Sequence, residues 1–86
     1  MFNNLYLEFM EIKILGTGCG KCKTTYAVIE KLIKENNITA TLTKVEDIME
    51  IMNYNILATP AVVIDGEVKI KGRVPSEKEI KALLGL

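Results

Sequence analysis

Apolar residues along this chain fall into alternating stretches and helical stretches that together predict seven elements. Glu11 to Leu15 (EIKIL) alternates and reads as a short strand, ended by Gly16-Thr17-Gly18, a run suited to a tight loop. From Cys19 to Glu35 the period turns helical. Tyr26, Ala27, Val28, Ile29, Leu32 and Ile33 supply a broad apolar face, while Lys23, Glu30, Lys31 and Lys34 lie largely off it. Asn36-Asn37 should stop this helix, because asparagine tolerates left-handed backbone and competes for helical hydrogen bonds. Ile38 to Val45 (ITATLTKV) alternates β-branched with polar residues and predicts a second strand. Glu46 to Met52 predicts a short helix with Glu46 and Asp47 in its first turn, where the helix dipole favours acids.

After Ala58-Thr59-Pro60, the run Ala61-Val62-Val63-Ile64 predicts a third strand, Asp65-Gly66 a hairpin turn, and Val68 to Lys71 the returning strand. Gly72-Arg73-Val74-Pro75 breaks the pattern. Ser76 then caps a last helix, with Glu79 completing a capping box and Ile80, Leu83 and Leu84 as its apolar stripe. The order β-α-β-α-β-β-α predicts an α/β fold. Its first two strands form a right-handed parallel unit through a helical crossover, and its last two form an antiparallel hairpin. Helices on both faces would cover a four-stranded mixed sheet.

Residues 1–9 precede this pattern. Leu5, Leu7 and Phe9 alternate, so the segment is either an added edge strand or a loose arm. The division is an extension over 1–9 and one domain over 10–86. The segment has no basic leader region and no small-residue cleavage site, and Glu8 and Glu11 interrupt its apolar run. It predicts neither a signal peptide nor a membrane span.

Composition narrows the class. At 86 residues, 49% hydrophobic and 26% charged, the chain suits one soluble globular domain with a single core. Eleven basic residues balance eleven acidic ones, so no electrostatic footprint for nucleic acid is expected. Two cysteines are too few for a disulfide-stapled secreted scaffold, which points to a reducing, cytoplasmic setting.

Those two cysteines form Cys19-Gly20-Lys21-Cys22, between the first predicted strand and helix. Unpaired backbone N–H groups and the positive end of a helix dipole favour thiolate over thiol, and the thiolate is the reactive form. Lys21 and Lys23 add favourable charge. Cys22 lies one helical turn beyond Cys19, near enough to close a small disulfide ring. In the redox reading, Cys19 is the exposed attacking thiol and Cys22, inside the first turn, the more buried resolving thiol. In the alternative reading, the two thiolates hold Cu(I) or Zn(II) as a carrier module. With no histidine and no third cysteine, a structural zinc site would need two further ligands, such as those of a second copy. Thr59-Pro60 is the second candidate. A cis peptide here would turn Thr59 toward the cysteines, ready for β-like pairing with an extended client; a trans proline opening an edge strand is the plainer alternative.

Gly18-Cys19-Gly20-Lys21-Cys22, Ala58-Thr59-Pro60 and the Asp65-Gly66-Glu67-Val68 hairpin together resemble the thioredoxin superfamily, most nearly its small archaeal and bacterial redox-active disulfide proteins. The resemblance spans roughly Glu11 to Leu86 and implies the thioredoxin fold. It implies Cys19 as nucleophile, Cys22 as resolving cysteine, Pro60 as the cis-proline beside them and Gly72 as a glycine lining the client groove. It also implies a dithiol–disulfide oxidoreductase whose partners are protein disulfide clients and an upstream disulfide reductase. No organic cofactor or permanent metal is expected, since the cysteine pair itself carries two electrons. A subunit dedicated to delivering electrons to one enzyme would share this chemistry. We expect a monomer, with residues 1–9 leaving a dimer open.

The chain also departs from the family. It has no tryptophan, and Lys21 stands between the cysteines where ordinary thioredoxins carry proline. Counting back from Cys19, Lys13 takes the place of a buried aspartate that assists the resolving thiol. Proton transfer at Cys22 would then fall to water or another carboxylate, with Glu11 and Glu46 as candidates. Met49 and Met52 read as core-filling residues, Tyr26 as a packing residue, and Arg73 as a solvated loop charge rather than a contact for a client or glutathione.

Overall fold

A computed structural model of the chain describes residues 10–18 and 20–86. The extension over 1–9 and Cys19 lie outside the described residues. Seven elements follow in the predicted order: β1 (Met10–Leu15), α1 (Gly20–Glu35), β2 (Ala40–Val45), α2 (Ile48–Met52), β3 (Ala61–Ile64), β4 (Glu67–Lys71) and α3 (Glu77–Leu83). The strands form one sheet in the order β2-β1-β3-β4. β1 runs parallel to β2, from Met10 opposite Ala40 to Leu15 opposite Val45, and antiparallel to β3.

The two inner strands are the apolar ones, as strands covered on both faces must be. Every residue of β3 is buried. The outer strands β2 and β4 expose Thr41, Thr43, Lys44, Lys69 and Lys71, and such polar edges resist pairing with other chains. Alternation along β1 divides the core into two layers. Ile12 and Ile14 pack with Ile29 and Leu32 of α1 and with Ile80 and Leu84 at α3. Leu15 faces the other way, toward Val45, Ile51 of α2, Ile56 and Val63.

Four boundaries differ from the sequence expectation, the simplest being β1, which begins at Met10 rather than Glu11. β2 begins at Ala40 rather than Ile38, because the Ile38 N–H donates back to the Ile33 carbonyl at 3.1 Å and still belongs to the closure of α1. Asn37, left-handed at φ 51°, makes that closure, as its residue type predicted. α2 begins at Ile48, not Glu46. Asp47 is its N-cap, with extended backbone, and its carboxylate accepts the Met49 N–H at 2.9 Å, which leaves Glu46 in the preceding loop. β4 gains Glu67 and carries a bulge, since Val62 faces Ile70 while Val63 faces Val68 and leaves Lys69 without an opposite residue. Asp65 and Gly66 both have positive φ, 50° and 84°, the geometry of a two-residue hairpin turn.

Met49 and Met52 do not fill the core. They are 71% and 58% exposed, because a five-residue helix has one buried position, and Ile51 takes it. Arg73 is an exposed loop charge, as expected, and it is also paired. Its two terminal nitrogens donate to the two Glu79 carboxylate oxygens at 2.6 and 2.5 Å. Glu79 also closes the predicted capping box with Ser76. The Arg73 guanidinium and then the Ser76 backbone N–H pull the Glu79 carboxyl down from 4.5 to about 2. A carboxyl depressed on folding stabilises the fold fully above its unfolded value and loses that contribution as pH falls through its folded value. Glu79→Gln should therefore melt below wild type at neutral pH, with the gap shrinking below about pH 4.5 and mostly gone near pH 2. Thermal unfolding across that range checks it; a gap independent of pH would refute it.

Candidate functional site

Three segments meet at the end of the sheet where β1 and β2 finish and β3 begins. The first is the turn out of β1. The Gly16 N–H donates to the Val45 carbonyl at 2.9 Å, carrying the ladder one step past Leu15. The second is the first turn of α1, whose inner stripe runs Cys22, Thr25, Ile29, Leu32 at helical spacing. This periodicity buries Cys22, at 6% exposure. The fully buried Thr25 keeps its hydroxyl satisfied by donating to the Lys21 carbonyl at 2.8 Å. The third is Ala58-Thr59-Pro60, where the Thr59–Pro60 peptide is cis, Pro60 is buried and Thr59 is exposed.

Gly16 lets these segments close. A β-carbon at Gly16 would overlap the Cys22 Sγ, stand 3.2 Å from the Cys22 Cβ and lie 3.8 Å from the Thr59 Cβ. Gly16 has no left-handed backbone that would itself demand glycine; the sulfur occupies the space a side chain would need. Gly72 performs a similar service on the far side of Pro60. Its N–H donates to the Pro60 carbonyl at 2.9 Å, its φ is +79°, and a β-carbon there would press on Ala58 Cβ at 3.1 Å.

Two depressions flank this junction. A cleft of about 30 Å³ is lined by Ile14, Gly16, Gly18, Cys22, Lys23, Lys44 and Glu46. A more open groove of about 280 Å³ is lined by Thr17, Ile48, Ile51, Met52, Ile56, Leu57 and Thr59. Ile48, Met52 and Leu57 are 55%, 58% and 102% exposed, so the groove presents apolar side chains to solvent beside Thr59.

Of the residues singled out in the sequence, Cys22 and Thr59 meet around Gly16, and Gly72 is bonded to Pro60. Lys23 lines the cleft; Lys21 is exposed and lines neither depression. Cys19 lies outside the described residues. Lys13 sits on the face of β1 away from Ile14, where its Nζ donates to the Tyr54 hydroxyl at 3.4 Å. That bond, the Tyr54 charge and the Glu11 and Glu50 carboxylates raise its pKa. The β1 side chain at the cleft is Ile14. Glu11 is at the opposite end of β1, its N–H donating to the Asp65 carboxylate, whereas Glu46 lines the cleft. Tyr26 packs against the core, with the Lys44 ammonium 4.8 Å from its ring centre.

Sequence reasoning missed Gly16 and the groove. Gly16 read only as part of a loop, and its contact with sulfur has no local signal. The groove had one: Ile48, Ile56 and Leu57 are apolar residues that no predicted stripe used.

Comparison with known proteins bears on the whole domain. A family model described as a thioredoxin domain matches residues 10–85. A thioredoxin of Methanothermobacter thermautotrophicus is 39% identical over 75 residues, covering 87% of this chain and 97% of the relative. A thioredoxin of Methanocaldococcus jannaschii is 41% identical over 70 residues, covering 81% and 80%. Among solved structures, the germline-specific thioredoxin Deadhead of Drosophila melanogaster superposes with a TM-score of 0.66 at 13% identity, covering 98% of this chain and 88% of that one. The oxidised thioredoxin of Plasmodium falciparum gives 0.61 at 18% identity, covering 98% and 86%. These distant structures share the fold, while the archaeal relatives share sequence along nearly the whole domain. Among the described residues no helix is long and apolar enough to cross a membrane. The chain belongs to the thioredoxin domain family, and with it to the thiol–disulfide oxidoreductases.

Proposed function

We propose that this chain reduces protein disulfides through Cys19 and Cys22, with Cys19 attacking and Cys22 resolving. The observation that carries this reading is the burial of the Cys22 thiol on the inner stripe of α1, against Gly16 and beside Thr59. A resolving thiol needs that placement: shielded from outside disulfides, three residues along the chain from the attacking cysteine, and next to the segment that receives the client. The Cys19 thiolate attacks a client disulfide and forms a mixed disulfide; Cys22 then attacks Cys19, and the reduced client leaves. Lys21 and Lys23 favour the Cys19 thiolate by charge.

Thr59, Pro60 and Gly72 form the client-binding edge, and the groove from Ile48 to Leu57 takes an apolar client side chain next to it. An upstream reductase returns Cys19–Cys22 to the dithiol. The domain spans residues 10–86, acts as a monomer in the cytoplasm and uses no cofactor beyond its cysteines. Among the described residues no three potential metal ligands gather.

The test is the Cys19–Cys22 reduction potential, measured on metal-free protein in defined thiol–disulfide buffers with a mass readout of both states. A reversible two-electron couple between roughly −300 and −200 mV is expected for a reductant of this class. A potential near that of strongly oxidising periplasmic proteins, about −120 mV, would refute the reductant role. Folded protein that forms no intramolecular disulfide would refute the dithiol mechanism and move the next experiment to thiolate–metal titration.

A further inference from the structure

The buried Cys22 must shed its proton before it can attack, and no side chain of β1 can take it. The β1 residue at the cleft is Ile14, and Lys13 lies on the opposite face, bonded to Tyr54. Among the described residues, Glu46 is the only carboxylate lining the cleft that also holds Cys22. It comes from the loop after β2, kept out of α2 because Asp47 is the N-cap. Its Oε2 reaches over the turn out of β1, 3.4 Å from where a Gly18 β-carbon would stand, so Gly18 also leaves room for it. None of the ion pairs among the described residues engages it.

The cleft has the dimensions for a relay. Its volume of about 30 Å³ admits a water molecule, and Cys22, Glu46, Lys23 and Lys44 are among the residues that line it. Among the described residues, Lys23 from α1 and Lys44 from β2 are the other charged residues that line the cleft, and the turn out of β1 contributes Gly16 and Gly18. Positive charge from lysines lining the cleft would favour the Cys22 thiolate once it forms and limit its repulsion by the carboxylate.

We infer that Glu46 is the proton acceptor for Cys22, acting through one water in this cleft. The inference rests on Cys22 being the resolving thiol. The Glu46 carboxylate takes the Cys22 proton by way of the water and becomes a carboxylic acid. The Cys22 thiolate attacks the Cys19 sulfur of the mixed disulfide; the Cys22–Cys19 bond forms as the Cys19–client bond breaks. The client sulfur leaves with the electron pair and takes up a proton, which Glu46 returns through the water. The client gains two electrons, the cysteine pair loses two, and Glu46 ends as it began.

The test separates the two chemical steps with 5,5′-dithiobis(2-nitrobenzoate), an aromatic disulfide, added to reduced protein in single-turnover mixing. Attack by Cys19 releases one coloured thiolate, and resolution by Cys22 releases the second. Glu46→Gln should leave the first release unchanged and slow the second by about ten- to a hundredfold at pH 7. The deficit should close toward pH 9, where the thiol ionises without help. Glu46→Asp should recover part of the rate, and circular dichroism should show both variants folded. A second release unaffected in Glu46→Gln would overturn the inference while leaving the dithiol mechanism standing. A deficit of equal size at every pH would also overturn it, since a structural role gives that result. Wild-type protein with no second release would remove the dithiol mechanism and this inference with it.

Discussion

Cys22→Ser should trap the protein on its client and lower disulfide turnover by at least about a thousandfold, the scale of losing an essential reacting group. Serine fits the site, because the residue it replaces is nearly isosteric and sits on the inner stripe of α1. The fold should survive with a cost of about 1 kcal/mol for burying a hydroxyl in place of a thiol. The chemistry does not survive, because an alcohol of ordinary acidity cannot displace a thiolate from the Cys19–client disulfide. The expected product is a covalent one-to-one adduct at Cys19 that persists without reductant and dissociates when dithiothreitol is added. Intact-mass analysis under non-reducing conditions, paired with a reductase-coupled turnover assay, reads both quantities. Full turnover by the variant would show that Cys22 does not resolve.

Gly16→Ala should lower stability by about 1–3 kcal/mol, the usual penalty for forcing a methyl into an occupied interior. For a domain of this size that corresponds to a melting temperature lower by roughly 5–20 °C. The clash is with a specific atom, the Cys22 Sγ, so the penalty should depend on that atom. In the background Cys22→Ala the same substitution should be distinctly milder, with a coupling of about 1 kcal/mol or more in a double-mutant cycle. It should not vanish, because the Cys22 Cβ remains 3.2 Å from the new methyl. A wild-type melting temperature for Gly16→Ala would mean that α1 can shift away from β1 without loss.

These two expectations differ in how much of them the sequence carries. The burial of Cys22 is legible because its position inside the first turn of the helix is local, within one segment. The strand and helix identities are legible for the same reason, as are Asn37, the Asp65-Gly66 turn and the Ser76 capping box, each a residue type fitted to one backbone geometry. What the sequence does not show is set by approach between segments. The role of Gly16 needs the start of α1 to lie against the end of β1. Lys13 finds Tyr54 across 41 positions, and only the alternation of β1 around that contact sends it away from Cys22. Glu46 suits the first turn of a helix on dipole grounds, yet Asp47 competes for the cap and wins by bonding Met49. The two methionines fail for a related reason: a shorter helix has fewer inward positions than the longer one the sequence suggests.

The hairpin turn at Asp65-Gly66 sits at the opposite end of the sheet from all of this. Asp65 donates its N–H to the Glu11 carbonyl near the start of β1, whereas the cleft and the groove gather past Leu15. The six residues of β1 place roughly 17–20 Å between those two ends. Among the described residues, the proposed site thus lies at one end of the sheet and the hairpin turn at the other. Attachment to a bead, an electrode or another domain through that turn would leave the proposed site facing solution, with the sheet between them as a handle.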